Sequence, residues 1–160
     1  MPQSPAYIIR KGTPADVPRA LAIWRAAVDA THGFLTPQDR AEIDTMVAET
    51  FLPAVELWLA VDANEWPLGF LVMDGTMIDA LFVDPPFHGR GVGSALLDHA
   101  LAIAPGASVE ASEQADNALP FYLARGFVVV GRTPTDPQGR PYPLVQLRHM
   151  GTSPASKSSR

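Results

Sequence analysis

The sequence predicts an α+β (mixed α/β) fold, in which about four helices flank a central mixed, mostly antiparallel sheet. Three apolar runs, at 57–61, 68–73 and 77–83, follow one another with only short polar turns between them, as antiparallel strands do. The third run is followed by a glycine-rich turn, a helical period over 92–103 and a short strand at 108–111. We therefore expect an antiparallel meander in the first half of the chain and one strand–helix–strand crossover in the second.

The N-terminal segment predicts a strand and two helices. A short strand is expected at 7–10, and Thr13-Pro14 then provides a cap and a proline that are typical of a helix start. Apolar residues spaced four, three and four apart predict one buried helix face: Val17, Leu21, Trp24 and Val28. The segment 29–35 breaks this period and is expected to be a loop, after which Thr36-Pro37 begins a second helix.

The remaining elements are shorter. Asp74-Gly75, between the second and third apolar runs, is a strong hairpin signal. A short helix is expected at 117–124, with Gly126 of the type found just past a helix end. Two strands follow at 127–130 and 144–147. The chain has 160 residues, of which 47% are hydrophobic, and this predicts one domain over residues 1–150. A flexible polar tail is expected over residues 151–160.

Composition excludes several classes of function. The sequence has no cysteine, which rules out disulfides, thiolate metal sites and a cysteine nucleophile. Its four histidines stand far apart, so no built-in metal site is expected. The net charge of −5, without a run of basic residues, disfavours nucleic-acid binding. No apolar run is long enough to span a membrane, so we expect a cytoplasmic protein without membrane association.

The segment His88-Gly89-Arg90-Gly91-Val92-Gly93 stands between an apolar strand and an amphipathic helix. Free main-chain N–H groups and the helix dipole at such a place can bind an anion, and glycines let a phosphate approach the backbone. A nucleotide-triphosphate P-loop would need lysine after the last glycine, where this chain has Ser94. A dinucleotide fingerprint would need a third glycine at position 94 and a parallel βαβ unit before it. An acyl-CoA site is the third interpretation, and an ordinary tight turn that opens a helix is the alternative to any binding role.

These residues resemble the GNAT superfamily of N-acetyltransferases. The family signature maps onto His88, Gly91 and Gly93, and Ala80-Leu81-Phe82-Val83-Asp84-Pro85 looks like its cofactor strand. The resemblance runs from Ile8 to about His149. It includes Ala118, Phe121-Tyr122 and Gly126-Phe127, and segments 28–32 and 139–144 resemble a bacterial branch labelled YjaB. The sequence departs from the family pattern at two positions: His88 replaces the usual glutamine or arginine, and Ala115 stands where many members have asparagine.

The resemblance implies acetyl-CoA as the cofactor and a sheet that splays at a cofactor cleft. The pantetheine arm is expected beside Leu81 to Val83, and the pyrophosphate on N–H groups from His88 to Ser94, with Arg90 as an extra phosphate contact. The cofactor-binding set that follows is Leu81, Phe82, Val83, His88, Gly89, Arg90, Gly91, Val92, Gly93, Ser94, Asn117, Phe121 and Tyr122.

Three residues are implied in proton transfer. Tyr122 would protonate the departing CoA thiolate, with Phe121 supplying the core contact so that its neighbour faces elsewhere. Asp79 is the first candidate for the general base, because many relatives carry a glutamate on this strand, and Glu110 is the second. The alternatives are a core tyrosine at 122 and structural carboxylates at 79 and 110.

The loop between the first two helices typically borders the acceptor pocket in this family. Substrate binding is therefore assigned to Asp29, Thr31, His32 and Phe34. The alternative for each of these residues is a helix-capping turn with a buried aromatic ring.

The function predicted from these residues is transfer of an acetyl group from acetyl-CoA to a primary amine, by direct attack in a ternary complex, since no cysteine can carry the acyl group. The alternatives are a catalytically weak or inactive acyl-CoA-binding sensor of the same fold, and an interaction domain without a ligand. The acceptor stays open between a small molecule and a peptide amine, and the chain between a monomer and a homodimer.

Overall fold

The computed structural model of the protein describes residues 7–151. Within this range it has four α-helices and seven strands. The helices are α1 (Val17–Thr31), α2 (Pro37–Met46), α3 (Val92–Ile103) and α4 (Ala118–Leu123). The strands are β1 (Ile8–Lys11), β2 (Trp58–Val61), β3 (Pro67–Asp74), β4 (Met77–Val83), β5 (Ser108–Ser112), β6 (Phe127–Thr133) and β7 (Leu144–His149).

The described residues form two compact units. The first unit comprises residues 7–73 and 80–99, and the second comprises residues 74–79 and 100–151. β4 and α3 each contribute residues to both units, because the division falls within these two elements.

The first unit contains the antiparallel meander. β1 pairs antiparallel with β2, β2 pairs antiparallel with β3, and the last part of β4 follows β3 in the strand order. β3 and β4 are joined by the two-residue turn Gly75-Thr76, in which Gly75 has a φ of +60° that favours glycine. The predicted meander is confirmed. The turn lies one residue later than the Asp74-Gly75 pair, because Asp74 still belongs to β3.

The core of the first unit lies between α1 and the sheet. α1 buries Trp24 and Val28, while Val17 and Leu21 are partly buried against the same core, so the predicted face is confirmed. Phe70 of β3 is fully buried, which stabilises the fold by about 1.5–3 kcal/mol relative to an exposed ring. The helix is preceded by a cap in which Thr13 N donates to the Asp16 carboxylate at 2.8 Å.

A glycine lets β3, β4 and α3 approach one another closely. A Cβ at Gly69 would lie 2.8 Å from the carbonyl oxygen of Phe82, and 3.2 Å from the Val92 side chain at the start of α3. Any larger residue at position 69 would therefore displace the strand that leads into the glycine-rich turn.

The second unit contains the crossover. The first residues of β4, Met77 and Ile78, pair in parallel with Ser108 and Val109 of β5, as expected for strands joined through a helix. β5 pairs antiparallel with β7, and β7 pairs antiparallel with β6. α3 buries the predicted positions Val92 and Leu96 in its first-unit part and Ala100 in its second-unit part, but Ile103 is exposed at its C-terminal end.

The mixed, mostly antiparallel sheet and its flanking helices confirm the predicted fold class. The single domain over 1–150 and the opening of the sheet at a cofactor cleft stay predictions. The predicted tail, 151–160, lies outside the described residues except for Gly151.

Candidate active site

The glycine-rich turn leads directly into α3. Gly89 and Gly91 have φ angles of +75° and +86°, in the left-handed region that glycine adopts without steric cost. The first hydrogen bond of the helix runs from Ala95 N to Gly91 O at 3.0 Å. The N–H groups of Val92 and Gly93 thus precede the helical hydrogen bonds of α3, at the positive end of its dipole.

The space around the two glycines is open. A Cβ at Gly89 would meet no atom within 4 Å, and one at Gly91 would meet only the ring of Tyr7, at 3.9 Å. A phosphate group can therefore approach the backbone of the turn without meeting a side chain at either position. These residues fit the pyrophosphate of acetyl-CoA by their conformation, their dipole and the free space beside them.

The His88 side chain links the start of the turn to the end of β4 by a hydrogen bond. Its Nε2 lies 2.9 Å from the carbonyl oxygen of Val83. Because a carbonyl only accepts, Nε2 carries the proton and donates it. The predicted cofactor-binding residue His88 thus has a structural partner within the protein.

The end of β4, which precedes the turn, has its main chain rather than its side chains available for contact with a cofactor. Leu81, Phe82 and Val83 are half-buried, and the Phe82 ring packs on the core, 5.7 Å from Phe70. Any contact of Phe82 with a cofactor would therefore be made by its main chain. Arg90 is exposed, with its guanidinium carbon 5.9 Å from the Phe87 ring, and is able to reach a phosphate.

Three long-range contacts of this region were not predicted from the sequence. The hydroxyl of Tyr7 donates to the carbonyl oxygen of Arg90 at 2.8 Å. Arg19 of α1 donates to the carbonyl oxygen of Pro67, at 2.8 and 3.0 Å, and to the Asp84 carboxylate at 2.9 Å. The partners are separated by 83, 48 and 65 residues, and no local pattern signals such pairs. Arg19 and Asp84 fix the place where β4 ends.

The two candidate bases lie side by side in the second unit. Asp79 and Glu110 directly follow the paired residues Ile78 and Val109, so they occupy equivalent positions on neighbouring parallel strands. Partial burial, and then the negative charges of Asp74 and Glu110, raise the pKa of Asp79. Glu110 accepts a hydrogen bond from Gln146 Nε2 at 2.8 Å. The raised pKa makes Asp79 more basic than an ordinary aspartate.

Tyr122 is a buried residue of α4. It is only 6% exposed, between the rings of Phe121 and Phe127 at 5.1 Å each, and burial raises the pKa of its hydroxyl. The expectation that Phe121 supplies the core contact and Tyr122 faces elsewhere is wrong. Phe121 is half-buried and stacks on the Arg125 guanidinium at 3.9 Å, because α4 turns its 122 position inward. Asn117 is the N-cap of α4, and its carbonyl accepts from Phe121 N at 3.2 Å.

The predicted acceptor loop is shorter than expected. Asp29 and Thr31 lie in the last turn of α1, because the Thr31 hydroxyl donates to Ala27 O at 2.8 Å and His32 N donates to Val28 O at 2.7 Å. The Asp29 carboxylate accepts from Arg40 of α2, at 2.8 and 3.3 Å, and so joins the two helices. Asp29 and Thr31 therefore have structural contacts, and the loop proper begins at His32.

His32 has a defined proton position. Its Nδ1 lies 2.6 Å from the Thr31 hydroxyl, whose own proton is already donated to Ala27 O. Nδ1 must therefore be the donor, which leaves the lone pair on Nε2. Burial lowers the pKa of His32, and its ring lies 5.1 Å from that of Phe34.

The predicted site residues fall into the two units. The first unit holds the acceptor residues 29–34, the strand segment 81–83 and the turn 88–94, and the second holds Asp79, Glu110 and the helix with Asn117, Phe121 and Tyr122. Across residues 7–151 there is no group of three acidic or histidine side chains that could hold a metal ion. Nor does any helix in that range have the length and apolar character that a membrane span requires.

Comparison with known proteins identifies the family. A family model described as an acetyltransferase (GNAT) domain matches residues 33–139. The chain belongs to the GNAT acetyltransferase family. It is 44% identical to the peptidyl-lysine N-acetyltransferase YjaB of Salmonella typhimurium, over 87% of this chain and 95% of that protein. Its identity to YjaB of Escherichia coli is 42%, over 89% and 97% of the two chains.

A solved structure agrees with this assignment. The solution structure of apo-form YjaB from Escherichia coli is similar to this GNAT chain, with a TM-score of 0.86 and 41% identity, over 92% of this chain and 99% of that one. The protein is an N-acetyltransferase, and acetyl-CoA is the cofactor of its family. The sensor of the same fold, considered from the sequence as an alternative, is not favoured.

Proposed function

We propose that this GNAT protein transfers the acetyl group of acetyl-CoA to the side-chain amine of lysine residues in peptides or proteins. The observation that carries the proposal is the open glycine turn at the start of α3, at Gly89 and Gly91, in a chain 44% identical to a peptidyl-lysine N-acetyltransferase. A primary amine is the acceptor that this chemistry requires, and lysine is the acceptor named for those relatives.

In this proposal most of the cofactor-binding residues belong to the first unit. Main-chain N–H groups from His88 to Ser94 bind the pyrophosphate, Arg90 contributes a charged contact, and the backbone of Leu81 to Val83 receives the pantetheine arm. Asn117, Phe121 and Tyr122, which belong to the second unit, complete the set proposed from the family resemblance. When bound, acetyl-CoA supplies the acetyl group as an activated thioester.

The residues proposed to accept and donate protons in the reaction belong to the second unit. Asp79 is the proposed acceptor of the proton from the lysine ammonium, and its raised pKa brings it closer to the working range of a general base. Glu110 is the second candidate and raises the basicity of Asp79 by its charge. The Tyr122 hydroxyl is the proposed proton donor to the departing sulfur.

A cationic acceptor fits the charges beside the candidate base. Asp74, Asp79 and Glu110 interact electrostatically, so a positive ammonium near Asp79 would relieve their mutual repulsion. In the first unit, His32 and Phe34 are the proposed acceptor contacts, while Thr31 orients the His32 ring and Asp29 joins α1 to α2. Without a cysteine in the chain, direct attack of the amine is the proposed route.

The proposal is tested by mass spectrometry with matched peptides. The purified chain and acetyl-CoA are incubated with an N-terminally blocked peptide containing one lysine, the same peptide with arginine instead, and an unblocked arginine peptide. Acetylation of the lysine peptide alone is the expected result. Acetylation of the free N-terminus alone would replace lysine by an α-amine acceptor, and no acetylation of these peptides or of small amines would overturn the proposed activity.

Because the reaction consumes acetyl-CoA, we also propose that the protein works in the cytoplasm, where bacteria make this cofactor. A cell fractionation with an antibody to the chain tests the location, and recovery in the periplasmic fraction would contradict it.

A further inference from the structure

One side chain ties the glycine-rich turn to the first strand of the protein. Tyr7 directly precedes β1 and is partly buried, and its hydroxyl donates to the carbonyl oxygen of Arg90 at 2.8 Å. The edge of its ring is also the nearest atom to the position that a Cβ of Gly91 would take, at 3.9 Å. The ring and the hydroxyl of Tyr7 thus both meet the peptide unit between Arg90 and Gly91.

The contact fixes the direction of one N–H group. All peptide bonds of the described residues are trans. In a planar trans peptide the C=O and the following N–H point in opposite directions. Because the Arg90 carbonyl points to the Tyr7 hydroxyl, the N–H of Gly91 points away from Tyr7.

The Arg90–Gly91 peptide lies between two points at which hydrogen bonds hold the turn. The start of the turn is held by the hydrogen bond from His88 to Val83 O, and the end by that from Ala95 N to Gly91 O. Without the hydrogen bond from Tyr7, the Arg90–Gly91 peptide could rotate at low cost, since glycine adopts positive and negative φ angles about equally. Rotation of this unit by half a turn would direct a carbonyl oxygen, rather than an N–H group, at an anion on the other side.

We propose that Tyr7 is a positioning residue for the cofactor: its hydroxyl holds the Arg90–Gly91 peptide so that the Gly91 N–H is aimed at the pyrophosphate of acetyl-CoA. The inference rests on the proposed cofactor turn and adds a residue outside the family signature. Tyr7 acts through the main chain of the turn and does not itself touch the ligand.

The first test separates the pyrophosphate from the rest of the cofactor. Tyr7→Phe removes only the hydroxyl, and binding is measured by calorimetry with CoA and with pantetheine, which lacks the pyrophosphate. We expect the dissociation constant for CoA to rise about two- to tenfold, as for loss of one hydrogen bond. Binding of pantetheine, or kcat/KM with S-acetylpantetheine where binding is too weak for calorimetry, should not change. Tyr142→Phe, which removes a tyrosine hydroxyl in the second unit, should alter neither.

The second test needs no variant. In the ¹⁵N-labelled wild-type chain, the amide proton of Gly91 should move downfield when CoA is added and should not respond to pantetheine. Wild-type protein that binds CoA without a shift at Gly91 would overturn the role of Tyr7 but leave the proposed function intact. An equal loss of CoA and pantetheine binding in Tyr7→Phe would do the same, since it would indicate a general structural role. Wild-type protein that does not bind CoA at all would overturn both.

Discussion

The cofactor turn and the residues proposed for proton transfer are built in different ways. The proposed cofactor turn would bind through main-chain groups, and side chains hold its carbonyl oxygens and those beside it, as His88 does at Val83 and Tyr7 does at Arg90. The proposed proton transfer would depend on side chains, Tyr122 and Asp79, whose pKa values are raised by burial and, for Asp79, also by neighbouring charge. A main-chain site tolerates exchange of side chains and fails when a glycine is lost, whereas a side-chain site fails when one functional atom is lost.

The largest effect is expected from Tyr122→Phe. If the hydroxyl donates a proton to the departing sulfur, its removal should lower kcat by about 10²-fold or more. The dissociation constant for acetyl-CoA, measured by calorimetry, should stay the same, because Phe keeps the ring between Phe121 and Phe127. An unchanged kcat would assign Tyr122 to the core and remove it from catalysis.

Asp79→Asn should come next and should change the pH profile. The raised pKa of Asp79 means that the base is lost as the pH falls through that value, so kcat of the wild type should decline on the acid side. The substitution should lower kcat by about 10²-fold and abolish this decline. A profile identical to that of the wild type would exclude Asp79 as the base.

Glu110→Gln is the matched control for Asp79. Removing the Glu110 charge should lower the pKa of Asp79, so the acid decline should move to lower pH with kcat largely retained. Loss of the decline in Glu110→Gln would instead assign the base to Glu110. Because the pKa of Asp79 is raised in the folded state, that state binds the proton more tightly and loses stability as the pH rises through this window. Asp79→Asn should therefore unfold at a slightly higher temperature than the wild type at neutral pH.

Gly91→Val tests whether main-chain N–H groups of the glycine turn bind the cofactor. A branched residue at a φ of +86° costs about 1–2 kcal/mol, and relief of this strain by rotation of the turn would misdirect its N–H groups. We expect acetyl-CoA affinity, measured by calorimetry, to fall by more than about tenfold. Gly139→Val is the control, because Gly139 has a φ of +83° and open space around it in the second unit. It should lose similar stability but keep its affinity, and normal affinity in Gly91→Val would contradict the placement of the pyrophosphate.

The smallest effect is expected from Asp29→Asn. Asp29 is paired with Arg40, which also donates to Asp44, so the variant should lose one exposed ion pair worth less than about 1 kcal/mol. The loss should be visible in urea unfolding and should decrease at high salt. KM for a lysine peptide should not change. A large increase in KM would instead support the assignment of Asp29 to substrate binding.

The sequence alone determined the elements that depend on local residue types. The order of strands and helices, the glycine turn before α3 and the cap at Thr36 are set by periodicity, by glycine and by hydrogen bonding within a few residues, and each is found in the structure. The conformation of the glycine turn could be predicted, because positive φ angles such as those of Gly89 and Gly91 favour glycine; its role in cofactor binding stays a prediction.

Only the tertiary structure decided which side chains meet across the chain. Helical hydrogen bonding carried α1 past Asp29 to Thr31, and packing turned Tyr122 inward and Phe121 outward, against the expectation. Tyr7 and Arg90 are 83 residues apart, and the charges that raise the pKa of Asp79 come from Asp74 and Glu110 through the pairing of β4 with β5. Burial and electrostatic coupling depend on which groups surround a residue in three dimensions, and these neighbours cannot be inferred from residue spacing along the chain.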